Sequence, residues 1–152
     1  MNREGAGQPQ AKLLPAHEAF LQAARVARLA TSGPEGQPHL IPVCFVLLGG
    51  LLYTPIDGKP KRTSGGALRR IRNIRQNPRV AFLVDVYEED WSRLGFVLVE
   101  GEAEILEGGE EFERAVRALR GKYRQYERVA IGGPEGLIIR ITPSRIASWG
   151  AI

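Results

Sequence analysis

A single cysteine in 152 residues, Cys44, leaves the chain without an intramolecular disulfide. A thiol inside an apolar run is expected to be buried and inert, and the cysteine usage points to a reducing, cytoplasmic setting. Apolar runs are short as well. None approaches the roughly 18 residues of a membrane span, so no membrane association is expected. The opening "MNREGAGQPQAK" lacks the apolar core of a signal peptide, and its Gly, Gln and Pro content fits a disordered tail over residues 1–13. Residues 14–152 are long enough for one compact domain and too short for two. The two histidines, His17 and His39, stand far apart with no second metal ligand at a telling spacing. His17 is expected on a helix surface, and His39 as a hydrogen-bonded structural residue at a strand start. There is no G-x-x-x-x-G-K-[ST] loop, no G-x-G-x-x-G after a strand, no internal repeat, and no evident nucleophile with its base.

What is present is charge, unevenly placed. The net charge is +4, yet residues 59–79 carry eight Lys or Arg and no acid, while residues 85–113 carry eleven of the seventeen acids. Such polarity calls for a local anionic partner. Nucleic acid is not expected, because aromatic residues are not interleaved with the basic stripe.

Periodicity supplies the elements. "LPAHEAFLQAAR" reads as a short amphipathic helix with Pro15 in its first turn. "VARLAT", "PHLIPVCFVLL" and "LLYTPI" read as strands, the last two joined by a Gly49-Gly50 hairpin. "GALRRIRNIRQNP" is a helix with Ala67, Leu68, Ile71 and Ile74 on its apolar side and a stop at Asn77-Pro78. "RVAFLVDVY" and "GFVLVEGEAEIL" are strands. The second alternates Val99, Gly101, Ala103 and Ile105 with Glu100, Glu102 and Glu104, so one face is wet. A helical stripe of Phe112, Val116, Leu119 and Tyr123 follows, then one or two closing strands around Pro143. This order is not the alternation of a doubly wound sheet. It predicts an α+β fold, an antiparallel barrel of about six strands with helices at its edge.

The stretch "DGKPKRTSGG", Asp57 to Gly66, leads into the second helix. Thr63 or Ser64 can cap that helix, and Gly65 and Gly66 in its first turn allow backbone N–H groups close to a ligand. Arg69 and Arg70 at the helix start oppose its dipole, a local cost that a bound phosphate or carboxylate would offset. At about 100° per residue, Arg70 flanks the buried side, whereas Arg69, Arg72 and Gln76 point outward. A missing nucleophile is no obstacle if a bound flavin-type ring carries the chemistry.

"ARVARLATSGPEGQPHLIPVCFVL", "LLYTPIDGKPKR", "RRIRNIRQNPRVAFLVD", "DWSRLGFVLVEGEAEIL" and "IRITPSRIASW" together resemble the pyridoxamine 5'-phosphate oxidase-like split β-barrel flavoproteins. Within them the chain is most similar to the branch thought to use the deazaflavin coenzyme F420. The resemblance implies an FMN-binding-type split barrel of Greek-key connectivity. It also implies a homodimer with cofactor sites at the subunit interface, and hydride transfer to a small organic acceptor. F420 is the cofactor expected, with FMN as the alternative, and a protein that binds cofactor without turnover would carry the same residues. Pro42 and Val43 would lie along the ring system, and Thr54 with Lys59, Lys61, Arg62 and Thr63 would meet the ribityl and phosphate portion. Arg70 matches a cationic phosphate contact, commonly lysine in relatives. Trp91 and Trp149 match aromatic positions near the site or the dimer contact. The resemblance does not extend to the residues with which pyridoxamine phosphate oxidases hold their substrate phosphate.

Overall fold

A computed structural model describes residues 9–56, 68–134 and 136–152. Among them, helix α1 (Pro15–Ala23) precedes strands β1 (Ala27–Ser32), β2 (Pro38–Val43), β3 (Val46–Leu48) and β4 (Leu51–Ile56). Helix α2 (Arg69–Gln76), β5 (Arg79–Val86), β6 (Gly95–Leu106), α3 (Glu110–Lys122) and β7 (Leu137–Gly150) follow. The strands form one seven-stranded antiparallel sheet in the order β2-β1-β5-β6-β7-β4-β3. Its two edge strands, β2 and β3, are consecutive in sequence and joined by Cys44 and Phe45 alone. The sheet must therefore curl until its edges nearly meet, which gives a barrel that is split and not sealed. The α+β split barrel is the architecture the sequence predicts.

The strand count differs from the sequence reading. "PHLIPVCFVLL" is two strands, because the chain turns a corner at Cys44-Phe45, and the closing segment is one strand of 14 residues, because a bulge absorbs Pro143. The bulge lies opposite Glu100 and Gly101. A Cβ at Gly101 would collide with the Thr142 carbonyl, so the close approach requires glycine there. Gly49 and Gly50, at φ 56° and 78°, make the β3–β4 hairpin as expected.

Two apolar clusters share the sheet. Inside the barrel, Leu29, Phe45, Leu52, Phe82, Val97, Val99 and Ile139 pack with Leu21 from α1 and Ile71 and Ile74 from α2. On the outer side of β4 and β7, Tyr53 and Ile138 are covered by Phe112, Ala115, Val116 and Leu119 of α3. The helical stripe read from the sequence is thus the inner face of α3. The packed chain begins ahead of residue 14: Leu13 is buried, and the Ala11 amide donates to the Pro143 carbonyl at 2.8 Å.

Polar pins lock these layers. His17 is buried, contrary to the surface position expected of it. Its Nδ1 accepts the Leu14 N–H at 3.2 Å, so Nε2 carries the ring proton and donates to Ser148 Oγ at 3.0 Å, tying α1 to β7. At the split, the Tyr123 hydroxyl accepts the Phe45 N–H at 3.1 Å and lies 3.0 Å from the carbonyl oxygens of both Phe45 and Arg25. On the α3 side, Tyr53 donates to Glu111 at 2.9 Å, and Arg140 grips both Glu111 oxygens and also pairs with Glu104. Edge strand β2 carries Pro38 and Pro42, which a continuous ladder to β1 tolerates where the missing N–H faces away from it.

Two outcomes follow for stability. Replacing Tyr123 by Phe strands the buried Phe45 N–H and should cost about 1–3 kcal/mol in urea unfolding. Burial alone would raise the Glu111 carboxyl, but its bonds from Arg140 and Tyr53 outweigh burial and hold it below its ordinary 4.5. Its contribution is therefore fully present above pH 4.5 and lost as pH falls through the lower folded-state value. Unfolding of Glu111→Gln followed against pH should show a shallower decline in that acid window than the parent chain.

Candidate functional site

The ladder registers locate the site by level. Thr54 pairs with Ile139 of β7, and Ile139 with Ile105 of β6, near the end of β6 that lies beyond Arg79, the first residue of β5. Thr54 thus stands at the barrel end where α2 hands over to β5. It faces inward, between Leu52 and Ile56 on the strand, both of which belong to the interior cluster. Thr54 is 1% exposed, and its hydroxyl oxygen is enclosed without a hydrogen-bond partner among the described residues. Buried hydroxyls are ordinarily paired, so one left open at the mouth of a barrel fits a polar ligand.

Helix α2 is held against this end by two amides. Asn73 Nδ2 donates to Thr31 Oγ1 at 3.0 Å, and Asn77 Nδ2 to Ser32 Oγ at 3.2 Å. Asn77 also accepts the Arg79 N–H, closing the helix and starting β5. The helix begins later than the sequence suggests. Leu68 is its N-cap, without a side-chain cap bond, and no glycine occupies its first turn; Thr63 and Ser64 lie outside the described residues. The cause is the apolar face: Ile71 and Ile74 reach the core from a helix that starts at Arg69, and an earlier start is not needed to bury them.

The first turn of α2 holds no acid and opens with two arginines. Arg70 is half-buried while Arg69, Arg72 and Gln76 are exposed, the division expected from helical geometry. Arg69 and Arg70 lie close enough to His39 on β2 that their charges, after burial, hold its imidazole below the ordinary 6.5. His39 is paired with Thr31 in the β1–β2 ladder, but its imidazole makes no hydrogen bond among the described residues, against the structural role expected for it. One barrel end thus gathers two guanidinium groups, a neutral imidazole and the open Thr54 hydroxyl.

The other expected residues divide in three. Val43 is buried and Pro42 exposed at the end of β2, four residues along the strand from His39. Lys59, Lys61, Arg62 and Thr63 lie outside the described residues. Trp91 is 70% exposed in a short 3₁₀ turn past the far end of β5, about 20 Å along that strand from the α2 end. It does not join Thr54 and Arg70 within one chain. Trp149 is 56% exposed, stacked on Phe96 with ring centroids 6.2 Å apart. Thr31, Asn73 and Asn77 were not singled out from sequence. Their one signal was an asparagine at position 73, inside the apolar stripe of a helix. Among the described residues no cluster of His, Cys, Asp or Glu could hold a metal ion, and no helix is long and apolar enough to cross a membrane.

Residues 13–150 match the pyridoxamine 5'-phosphate oxidase family. The chain belongs to that family. A 5a,11a-dehydrotetracycline/5a,11a-dehydrooxytetracycline reductase of Streptomyces rimosus is 33% identical over 132 residues, covering 86% of this chain and 78% of that protein. The family fold recurs in a conserved hypothetical protein of Mycobacterium tuberculosis, with a TM-score of 0.74, 24% identity, and coverage of 93% of this chain and 87% of that one. An F420 reductase gives a TM-score of 0.63 at 20% identity, covering 89% and 98%. These two structures bear on the fold alone.

Thr54→Val tests what the unpaired hydroxyl costs the free protein. Without cofactor the variant should be more stable by about 1 kcal/mol in urea unfolding, because an enclosed unpaired hydroxyl is replaced by an isosteric apolar group.

Proposed function

We propose that this chain is an oxidoreductase that binds the deazaflavin coenzyme F420 and passes hydride to a small organic acceptor. The observation that carries the reading is the Thr54 hydroxyl, enclosed and unpaired at the barrel end where Arg69 and Arg70 open α2. A phosphorylated, ribityl-type chain supplies the acceptors and negative charge that this end lacks. The bound reduced cofactor would supply the hydride, and the protein would bind, orient and shield it. F420 is favoured over FMN because its phosphodiester and glutamate tail suit cations spread over α2 and the segment from Lys59 to Arg62 better than a single phosphate clamp does. The reductase named among the relatives supports a reductive direction.

A homodimer belongs to the same reading. Val86, Tyr87, Trp91 and Trp149 are large exposed apolar residues around the β5–β6 turn and the end of β7. A groove of about 900 Å³ runs over the outer face of β1, β5, β6 and β7, where Arg79 stands across from Glu102 and Arg145 across from Glu100. Alternating charge of this kind is self-complementary about a twofold axis. A second copy would also explain how Trp91, remote from Arg70 in its own chain, comes near a cofactor.

Titrating the purified protein with F420 and with FMN while following intrinsic fluorescence tests the assignment. Tighter binding of FMN would reverse it. Arg70→Ala should weaken F420 binding by about tenfold, the loss expected for one charge-assisted phosphate contact. Reduced F420 is then offered with quinones, enones and nitro compounds. Consumption above background supports an enzyme, and none across the panel makes the protein a cofactor carrier.

A further inference from the structure

Helix α2 is eight residues long, too short to keep its conformation without tertiary support, and its N-terminal end has neither a side-chain cap bond nor an acid. Its seat on the barrel is therefore set by what its buried side touches. Ile71 and Ile74 supply apolar contact, which is non-directional and leaves a helix free to roll by some degrees about its axis. Asn73 stands between them and is buried too. A carboxamide in an apolar stripe is costly unless it is hydrogen-bonded, and that bond is directional. Asn73 Nδ2 donates to the buried Thr31 Oγ1 at 3.0 Å, while Oδ1 lies against Gly33. A Cβ on Gly33 would stand 3.0 Å from Oδ1, so glycine leaves the room in which the amide is seated.

Arg70 precedes Asn73 by three residues, so it lies on the same side of α2, one turn nearer the start. Side chains reach about 5–6 Å from a helix axis, and a roll of about 20° carries them about 2 Å. A charge-assisted hydrogen bond does not survive a displacement of that size. We propose that Asn73 is a positioning residue: seated on Thr31 and Gly33, it fixes the roll of α2 and so aims Arg70 at the anionic part of the cofactor, a role that rests on reading this barrel end as the F420 site. Asn73 thereby takes part in ligand binding through Arg70, with no ligand contact of its own. Asn77 has a different task. It stands at the C-cap, where its bonds to Ser32 and to the Arg79 N–H fix the exit of the chain into β5.

A double-mutant cycle on the full chain, read by F420 titration, tests this. Asn73→Ala should weaken F420 binding by about fivefold or more, but by less than about twofold when Arg70→Ala is already present, because an arginine that is gone cannot be mis-aimed. Thr31→Val, which removes the acceptor, should behave as Asn73→Ala does, and Thr31→Ser, which keeps it, should bind as the parent does. That pair carries the test if circular dichroism shows Asn73→Ala unfolded. A second readout needs no cofactor. The chain has two histidines, so His39 can be followed by proton NMR. Burial, then the charges of Arg69 and Arg70, which face it from α2, hold its imidazole below 6.5, while β1 opposes it with the uncharged Thr31. Freeing the roll of α2 should move its titration up toward 6.5 in Asn73→Ala. Equal losses of F420 affinity with and without Arg70, or an unchanged His39 titration in a folded Asn73→Ala variant, overturn the positioning role. A parent chain that binds no F420 overturns the cofactor reading instead, and the His39 titration then decides whether Asn73 sets the place of Arg70.

Discussion

A sheet whose two edges are one chain corner apart must be held at that corner, and a single phenol does so. The Tyr123 hydroxyl meets the Phe45 N–H, the Phe45 carbonyl and the Arg25 carbonyl, standing in for the ladder that β2 and β3 do not make with each other. Burial raises the Tyr123 phenol above its ordinary value, so it stays protonated and keeps its donor. Because Tyr123 follows α3 directly, the helix that covers β4 and β7 also fixes the split between β2 and β3. Closure of the barrel and docking of α3 are thus one event, and the second anchor, Tyr53 with Glu111 and Arg140, sets where along the sheet it occurs.

The opposite barrel end is organised by amides. Asn73 and Asn77 fasten α2 to two successive residues of β1, leaving the first turn of that helix to project two arginines beside His39. Neutral amides suit this task because they hold position without neutralising the cations they place. The same end keeps an unpaired hydroxyl at Thr54. Stability is conceded where a ligand can restore it, a common signature of a binding site.

The sequence made the regular parts legible. Alternation along "VLVEGEAEI" and the stripe Phe112, Val116, Leu119, Tyr123 are periodic signals of burial, and both faces fell where they pointed. The split of "PHLIPVCFVLL" was hidden because Cys44 and Phe45 are as apolar as their neighbours. The corner arises from a tyrosine 78 residues away. His17 looked like a surface residue because its partner, Ser148, lies 131 residues on. Asn73 and Asn77 carry no periodicity and gain meaning only once β1 lies beside α2. The rule is physical: local patterns report which face is buried, whereas polar pins depend on which distant atom arrives. The segment from Lys59 to Thr63 lies outside the described residues, and no periodic signal bears on it.

Prolines at positions 38 and 42 give edge strand β2 a further consequence. Of the outward-facing backbone positions along that edge, they remove the donors on either side of Leu40. A neighbouring molecule has little to add a strand to, so growth by edge-to-edge sheet extension, the route toward fibres, is blocked there.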